Sequence, residues 1–354
     1  MSDLSRMKLG GCLLGLLVGA VLLVGCGGGE DQRSEKSTAA AAVAARPEIL
    51  PTPACPRRSK LIRVTLDGRA GPENVGILMA EQQGFFREAG LAVRVESPAS
   101  PNGPVPDVTA GKGHLGVGQQ PQIVLGRDEG AQLIGIASIV SQPTEAMIWL
   151  PGSGIDGLAD LRGKTIAFPG VPFQKLFLER ILARAGLGLR DVKLKRVGYG
   201  LAVTLLSGKA DAIFGGSWNL EGTALRAHGA HPVITKVGNL GIPGYDESVL
   251  FAPFECVYER PTLYRKLVAA VARGTRAAVK DPAAAAQAIE RDSEADPTLG
   301  RGELEAQLQA TLPLLSRDGV LSPARIALLS WMKNQGMIED KWPFATIFTN
   351  YYLG

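Results

Sequence analysis

Trp218, Asn219 and Glu221 stand within four positions of one another and supply a flat aromatic face, an amide edge and a carboxylate. Such a set recognises a planar polar molecule by stacking and by placed donors and acceptors. The same residues also suit a helix start, with Trp218 in the core and Asn219 and Glu221 capping the first turn. Reactive chemistry is poorly served. His114, His228 and His231 are isolated among Gly and Ala, so no Ser-His-Asp or Cys-His set assembles, and surface or capping roles suit them better than metal ligation. Neither catalysis nor a cofactor or metal is expected.

An internal echo places two polar loops in equivalent settings. Ala110-Gly111-Lys112-Gly113-His114-Leu115-Gly116-Val117-Gly118 is matched by Ser207-Gly208-Lys209-Ala210-Asp211-Ala212-Ile213-Phe214-Gly215. Each copy predicts a helix end, a Gly turn and a short buried strand. The first runs into Gln119-Gln120 and the second into Ser217-Trp218-Asn219. Ligands of open α/β sheets bind beyond the carboxyl ends of strands, so two similar lobes would present these loops to one crevice.

The elements around them alternate in type. Strands are predicted at residues 61–66, 91–96, 115–118, 134–140, 164–168, 192–197, 212–215 and 232–237, with helices between, which is the pattern of α/β domains with largely parallel sheets. Phe173, Leu176, Phe177 and Ile181 give the helix after Pro172 one apolar face. Residues 261–336 read as nearly all helical, with Asp281-Pro282 and Ser322-Pro323 as starts, and should wrap one lobe.

The N-terminal part sets the compartment. Arg6 and Lys8 precede an apolar run over residues 9–25 that closes on Leu23-Val24-Gly25-Cys26. A positive start, an apolar middle and a small residue before the break make an export signal. The run is shorter than the roughly 20 residues that span a hydrocarbon core. The last four residues are similar to the bacterial lipobox, which implies a signal peptide over residues 1–25, acylation of Cys26 and an extracytoplasmic protein held to the membrane through a lipid anchor. Residues 26–60 carry no hydrophobic period and are expected to be a flexible tether. Cys12 falls in the signal. Cys55 and Cys256 could pair in an exported protein, but a free Cys55 in the tether and a buried Cys256 thiol is the favoured reading. The net charge of +4 comes from scattered Lys and Arg among few aromatics, so no nucleic-acid partner is expected.

The whole run from Leu61 to Leu353 resembles the solute-binding proteins of ABC importers, in particular the family that binds thiamine pyrimidine precursors such as formylaminopyrimidine, with sulfonate- and taurine-binding relatives. The resemblance lies in Gly84-Phe85-Phe86 before Glu88-Ala89-Gly90-Leu91, in Ala110-Gly111-Lys112 with Gln120-Pro121, and in Asp160-Leu161-Arg162-Gly163-Lys164. Gly215-Gly216-Ser217-Trp218-Asn219-Leu220-Glu221 and Phe348-Thr349-Asn350-Tyr351-Tyr352-Leu353 are similar to motifs of the pyrimidine branch. The resemblance implies an α/β, bilobal type II periplasmic-binding-protein fold with two lobes joined by a two-crossing hinge. Lobe one would comprise residues 61–148 and 250–340, lobe two residues 149–249, and residues 341–354 a tail packing on lobe one. It also implies a monomer that serves an ABC permease and ATPase and holds a small heterocycle through Asp67, Arg69, Asn74, Gln119, Gln120, Phe173, Ser217, Trp218, Asn219, Glu221 and Tyr245.

The chain departs from the family pattern at Asp67-Gly68-Arg69-Ala70-Gly71-Pro72-Glu73-Asn74-Val75-Gly76. Gly68 stands where the pattern carries a stacking Trp, its His is missing, and Ser217 replaces a usual Tyr. Arg69 offers a flat guanidinium face or an anion contact instead. A riboflavin-like or otherwise larger ligand fits these losses. A sulfonate-type anion would want the helix start after Phe168-Pro169-Gly170, but Pro172 removes one donor there and Asp67, Glu73 and Glu221 bring negative charge. Fungal pyrimidine synthases share the fold family, yet their Cys-rich iron segment has no counterpart here. A structural or sensory lipoprotein is the remaining alternative.

Overall fold

Short β-branched and apolar runs punctuated by Gly and Pro build two mixed sheets, each wrapped by helices. The computed structural model describes Cys55 and residues 61–292, 295–322, 324–339 and 343–353, all within one unit, Arg46–Gly354. The signal segment, Cys26 and the tether apart from Cys55 lie outside the described residues. None of the described helices is long and apolar enough to cross a membrane.

The chain starts with β1 (Leu61–Thr65), α1 (Val75–Gln82), α2 (Phe85–Glu88), β2 (Ala92–Glu96), α3 (Pro104–Thr109), β3 (Leu115–Gly118), α4 (Gln120–Asp128) and β4 (Leu133–Val140). It crosses to β5 (Glu145–Trp149), β6 (Thr165–Phe168), α5 (Pro172–Ala183), β7 (Lys193–Arg196), α6 (Leu201–Leu206), β8 (Ala212–Ser217), α7 (Glu221–Ala227) and β9 (Val233–Lys236). It then returns through β10 (Ser248–Pro253) to α8 (Phe254–Glu259), α9 (Pro261–Lys280), α10 (Pro282–Glu290), α11 (Arg301–Thr311) and α12 (Ala324–Asn334).

The two sheets repeat one plan. Their strand orders are β2-β1-β3-β10-β4 and β7-β6-β8-β5-β9. In each, the first three strands are parallel and the fourth runs antiparallel to both its neighbours. The fourth place belongs in both cases to the strand that follows a crossing, β10 in one and β5 in the other. The sheets are therefore mixed rather than largely parallel. The first crossing falls before Glu145 rather than after Ile148, and the second before Ser248 rather than after Val249.

Packing explains the helix positions. Gly76 of α1 and Gly274 of α9 meet so closely that a Cβ on Gly274 would fall inside the Gly76 carbonyl oxygen, and only glycine permits that approach. Asp281 caps α10 by accepting from the Ala284 N–H at 2.9 Å. Helices α9 to α11 pack on the first sheet, with Leu267, Val271, Ile289, Leu304 and Leu308 in its core. Helix α12 does not follow them. Its Leu328 and Met332 join Phe177 of α5 in an apolar cluster shared by both lobes, and Trp331 meets the Phe177 ring edge-on at 5.5 Å. The C-terminal third thus bridges the lobes instead of wrapping one. The tail packs on the first sheet through Phe348, bridged to Gly135, and Tyr352, whose hydroxyl donates to the Val257 carbonyl at 3.3 Å.

Cys55 and Cys256 form a disulfide with Cα atoms 5.1 Å apart. This corrects the favoured reading of two separate thiols. Cys256 lies on α8 at the border of the first core, where Cys55 packs against it.

Candidate ligand-binding site

Parallel strands of the two sheets aim their carboxyl ends at one cleft of 580 Å³, within the range of small-molecule sites. Its walls are the loops that follow β1 (Asp67 to Glu73), β3 (Gln119), β6 (Pro169, Val171), β7 (Gly198, Tyr199) and β8 (Ser217, Leu220, Glu221). Asp296, Leu299, Glu303 and Gln307, before and on α11, close the rim. The echo is structural, since Gly111 and Gly208 both end a helix with positive φ, 74° and 67°, and send the next strand toward the cleft. A separate cavity of 410 Å³ between α3, α4 and the start of α5 has mostly apolar walls and lies away from these strand ends.

Hydrogen bonds fix the polar wall. Asp67 accepts from Asn74 Nδ2 at 3.0 Å and from the Ser248 hydroxyl at 2.7 Å. Glu221 accepts from the Ser217 N–H at 2.6 Å, and the Ser217 and Thr144 hydroxyls are 2.9 Å apart. Asn219 donates through Nδ2 to Glu73 Oε1 at 3.0 Å and to Thr311 Oγ1 at 2.8 Å, which ties the second lobe to the first. Behind the wall, Glu145 accepts from Gln174 Nε2 at 2.7 Å and from the Tyr245 hydroxyl at 3.2 Å. Glu247 accepts from the Thr144 N–H at 2.7 Å and so joins the two crossings.

The chemistry of this wall is acceptance. Asp67, Glu73, Glu221, Asp296 and Glu303 line the cleft against one guanidinium, Arg69, and the ring of His228. Burial and the charges of Asp67 and Glu221 push the Glu73 carboxyl up to about 8, although Asn219 opposes the shift. Burial lifts Glu145 to about 7, and burial together with Glu145 and Glu73 holds Glu247 well above the carboxylate range. Glu221 is raised by burial as well. The amide oxygens of Asn74, Gln119 and Asn219 are buried with no hydrogen-bond partner. Asn74 and Asn219 commit their amino groups to Asp67 and to Glu73 and Thr311, and of the three only Gln119 lines the cleft, where an N–H donor can reach its oxygen.

Of the residues singled out in the sequence, Asp67, Arg69, Gln119, Ser217 and Glu221 line the cleft. Asn74 and Asn219 stand directly behind it, nearly or fully buried. Four others point elsewhere. Gln120 turns into the core, where its side-chain oxygen accepts from the Asp246 N–H at 2.9 Å. Phe173 is fully buried against Phe177, with ring centroids 5.2 Å apart. Tyr245 is buried beside Phe177 and Glu145. Trp218 is half-buried under the Lys236 ammonium, 3.7 Å from the ring centroid, and packs between the cores of both lobes. The helix start after Gly170 offers no open anion cradle, because Gln174 folds back to accept from the Val171 N–H at 3.3 Å. Sequence reasoning missed Tyr199 and the α11 rim, and treated Glu73 only as nearby charge. Tyr199 was findable, since it follows a strand end as Gln119 does.

Residues 71–285 match the family described as NMT1/THI5 like. A Haemophilus influenzae protein named for thiamine biosynthesis is 32% identical over 201 residues, 57% of this chain, and the chain spans 64% of that relative's length. The formylaminopyrimidine-binding protein of Halalkalibacterium halodurans is 29% identical over 221 residues, covering 62% of this chain and 67% of its own. A Schizosaccharomyces pombe protein named 4-amino-5-hydroxymethyl-2-methylpyrimidine phosphate synthase is 23% identical over 222 residues, 60% of this chain and 64% of its own. Among solved structures, the alkanesulfonate-binding protein of Xanthomonas axonopodis bound to MOPS superposes with a TM-score of 0.64 at 16% identity, covering 82% of this chain and 98% of that one. At that identity the likeness speaks for the two-lobed fold alone.

Proposed function

The chain belongs to the NMT1/THI5-like family, and from that premise we propose that it is the lipid-anchored, extracytoplasmic solute-binding component of an ABC importer, capturing a thiamine pyrimidine precursor or related small heterocycle. The observation that carries this reading is the excess of acceptors in the interlobe cleft. Five carboxyls and the unpaired oxygen of Gln119 face one guanidinium there, and a ring bearing an exocyclic amine meets such a wall with donors. The relative named for formylaminopyrimidine binding supports the same class.

A sulfonate would bring its charge into a cleft lined by five carboxyls against one guanidinium and would find the α5 start occupied by Gln174. Binding rather than synthesis is favoured because His228, the histidine on the cleft wall, sits at its rim, with Nδ1 2.9 Å from the Ala224 carbonyl and 3.8 Å from Glu303. Permease and ATPase partners follow from the importer reading, as does work at the membrane surface.

Calorimetric titration of the purified chain with formylaminopyrimidine, 4-amino-5-hydroxymethyl-2-methylpyrimidine, riboflavin, taurine and methanesulfonate tests the proposal. Saturable binding of an amine-bearing heterocycle without taurine binding is expected. Binding of the sulfonates alone would replace the ligand class, and turnover of a pyridine or pyrimidine compound would replace the binding role.

A further inference from the structure

The first-lobe loop after β1 carries glycine at residue 68 and the end of β8 in the second lobe carries serine at residue 217, so neither offers a ring, yet one aromatic ring reaches the Gly68 stretch from the second lobe. Tyr199 follows β7 in the second lobe and lines the cleft. Its Cε1 lies 3.7 Å from where a Cβ on Gly68 would stand, so its ring covers the bare stretch of the Asp67–Arg69 loop. The Asp67 carboxylate and the Arg69 guanidinium both act on its hydroxyl. The residue remains 42% exposed, beside Val203 at 70% and Leu206 at 37% on the same lip. An exposed aromatic and aliphatic lip above a floor of carboxyls is uncommon on a solvated surface, and it matches a flat ring with donors along one edge.

We propose that Tyr199 is the specificity-determining aromatic of the site, packing against a planar heteroaromatic amine or cation whose N–H groups meet Asp67 and Glu73. The inference deepens the proposed function and rests on it only for placing the ligand in this cleft. The ring belongs to the second lobe and the acceptors to the first, so the full contact set forms only when the lobes are together.

The test is titration of the full chain and of Tyr199→Ala and Tyr199→Phe with three probes: 4-amino-5-hydroxymethyl-2-methylpyrimidine, benzamidinium and taurine. Loss of a stacked ring weakens binding by about tenfold or more. The expected result is that the flat donors bind the parent, lose at least about tenfold with Tyr199→Ala and change by less than about threefold with Tyr199→Phe. The same pattern for benzamidinium with no binding of the pyrimidine removes the thiamine-precursor reading and leaves the role of Tyr199 standing. Equal affinity of the parent and Tyr199→Ala for a probe that binds overturns the role of Tyr199 and leaves the importer reading intact. Binding of taurine alone, or of no probe, overturns both.

Discussion

Carboxyls that hold protons govern the site at the scale of single residues. Glu73 at about 8 and Glu145 at about 7 lie above the ordinary 4.5 of an unfolded chain. The folded state therefore binds more protons than the unfolded state between those values, and stability falls as pH rises. The stabilisation is complete below about pH 4.5 and is gone above the folded value of about 8. Thermal unfolding of the unliganded chain followed from pH 5 to 9 should show a midpoint that declines across this range, and Glu145→Gln should flatten the part near pH 7. A midpoint that climbs with pH would mean that these groups are ionised and paired. A donor ligand stabilises the charged carboxylates, so its affinity should rise from pH 6 to pH 8.5 with protons released to buffer. Calorimetry in two buffers of different ionisation heat measures that release. Spacing alone names these residue types but not their directions. Gln119 precedes α4 and faces the cleft, whereas Gln120 begins the helix and turns inward. Ser217 and Trp218 diverge in the same way at the end of β8, and Phe173 is captured by the apolar face that its own helical period announces.

The elements were legible wherever apolar runs stood between turn residues. All eight strands expected from the sequence are present, and the two that were missed, β5 and β10, are the ones that follow crossings. Glu145-Ala146-Met147-Ile148-Trp149 carries no alternation because all five residues are buried, and a wholly buried run shows no period to distinguish strand from helix. The disulfide was hidden for a related reason, since local composition around Cys55 says nothing about where the chain returns. It closes a separation of 201 residues. On loop entropy, replacing both cysteines by serine should cost about 2–4 kcal/mol, read as a lower midpoint in denaturant, with no change in ligand affinity because α8 is not a wall of the cleft. The crossing of α1 and α9 gives a sharper expectation. Gly274→Ala puts a methyl into the Gly76 carbonyl, and overpacking of this kind costs about 1–3 kcal/mol. An unchanged midpoint for Gly274→Ala would mean that the two helices do not pack as closely as described.

On the scale of the whole molecule, the two lobes meet on opposite sides of the crossings through contacts of different kinds. At the cleft they are held by Asn219 with Glu73 and Thr311, and at its rim by His228 and Glu303, 3.8 Å apart. Behind the crossings they share an apolar cluster in which Phe177, Leu328 and Met332 are buried and Trp331 closes the outer side. The Asn219 side chain is buried and the His228–Glu303 pair is partly exposed, and polar contacts of these kinds contribute about 1 kcal/mol each, whereas truncating a buried aromatic or aliphatic side chain costs several. Opening is therefore expected at the front, with α12 and α5 kept together as the axle. Asn219→Ala should release the front contact, so the unliganded chain should give a larger radius of gyration in small-angle scattering and return to the parent value on ligand saturation. Trp331→Ala should instead lower the thermal midpoint by an amount corresponding to about 2 kcal/mol while leaving the ligand-induced change in scattering intact. If Asn219→Ala scatters like the parent with and without ligand, and Trp331→Ala abolishes the change, the axle and the latch stand the other way round. Ligand that bridges Tyr199 of one lobe and Asp67 of the other would then have to close the molecule against an apolar joint, which its few donors and one stacked ring do not have the energy to separate and remake.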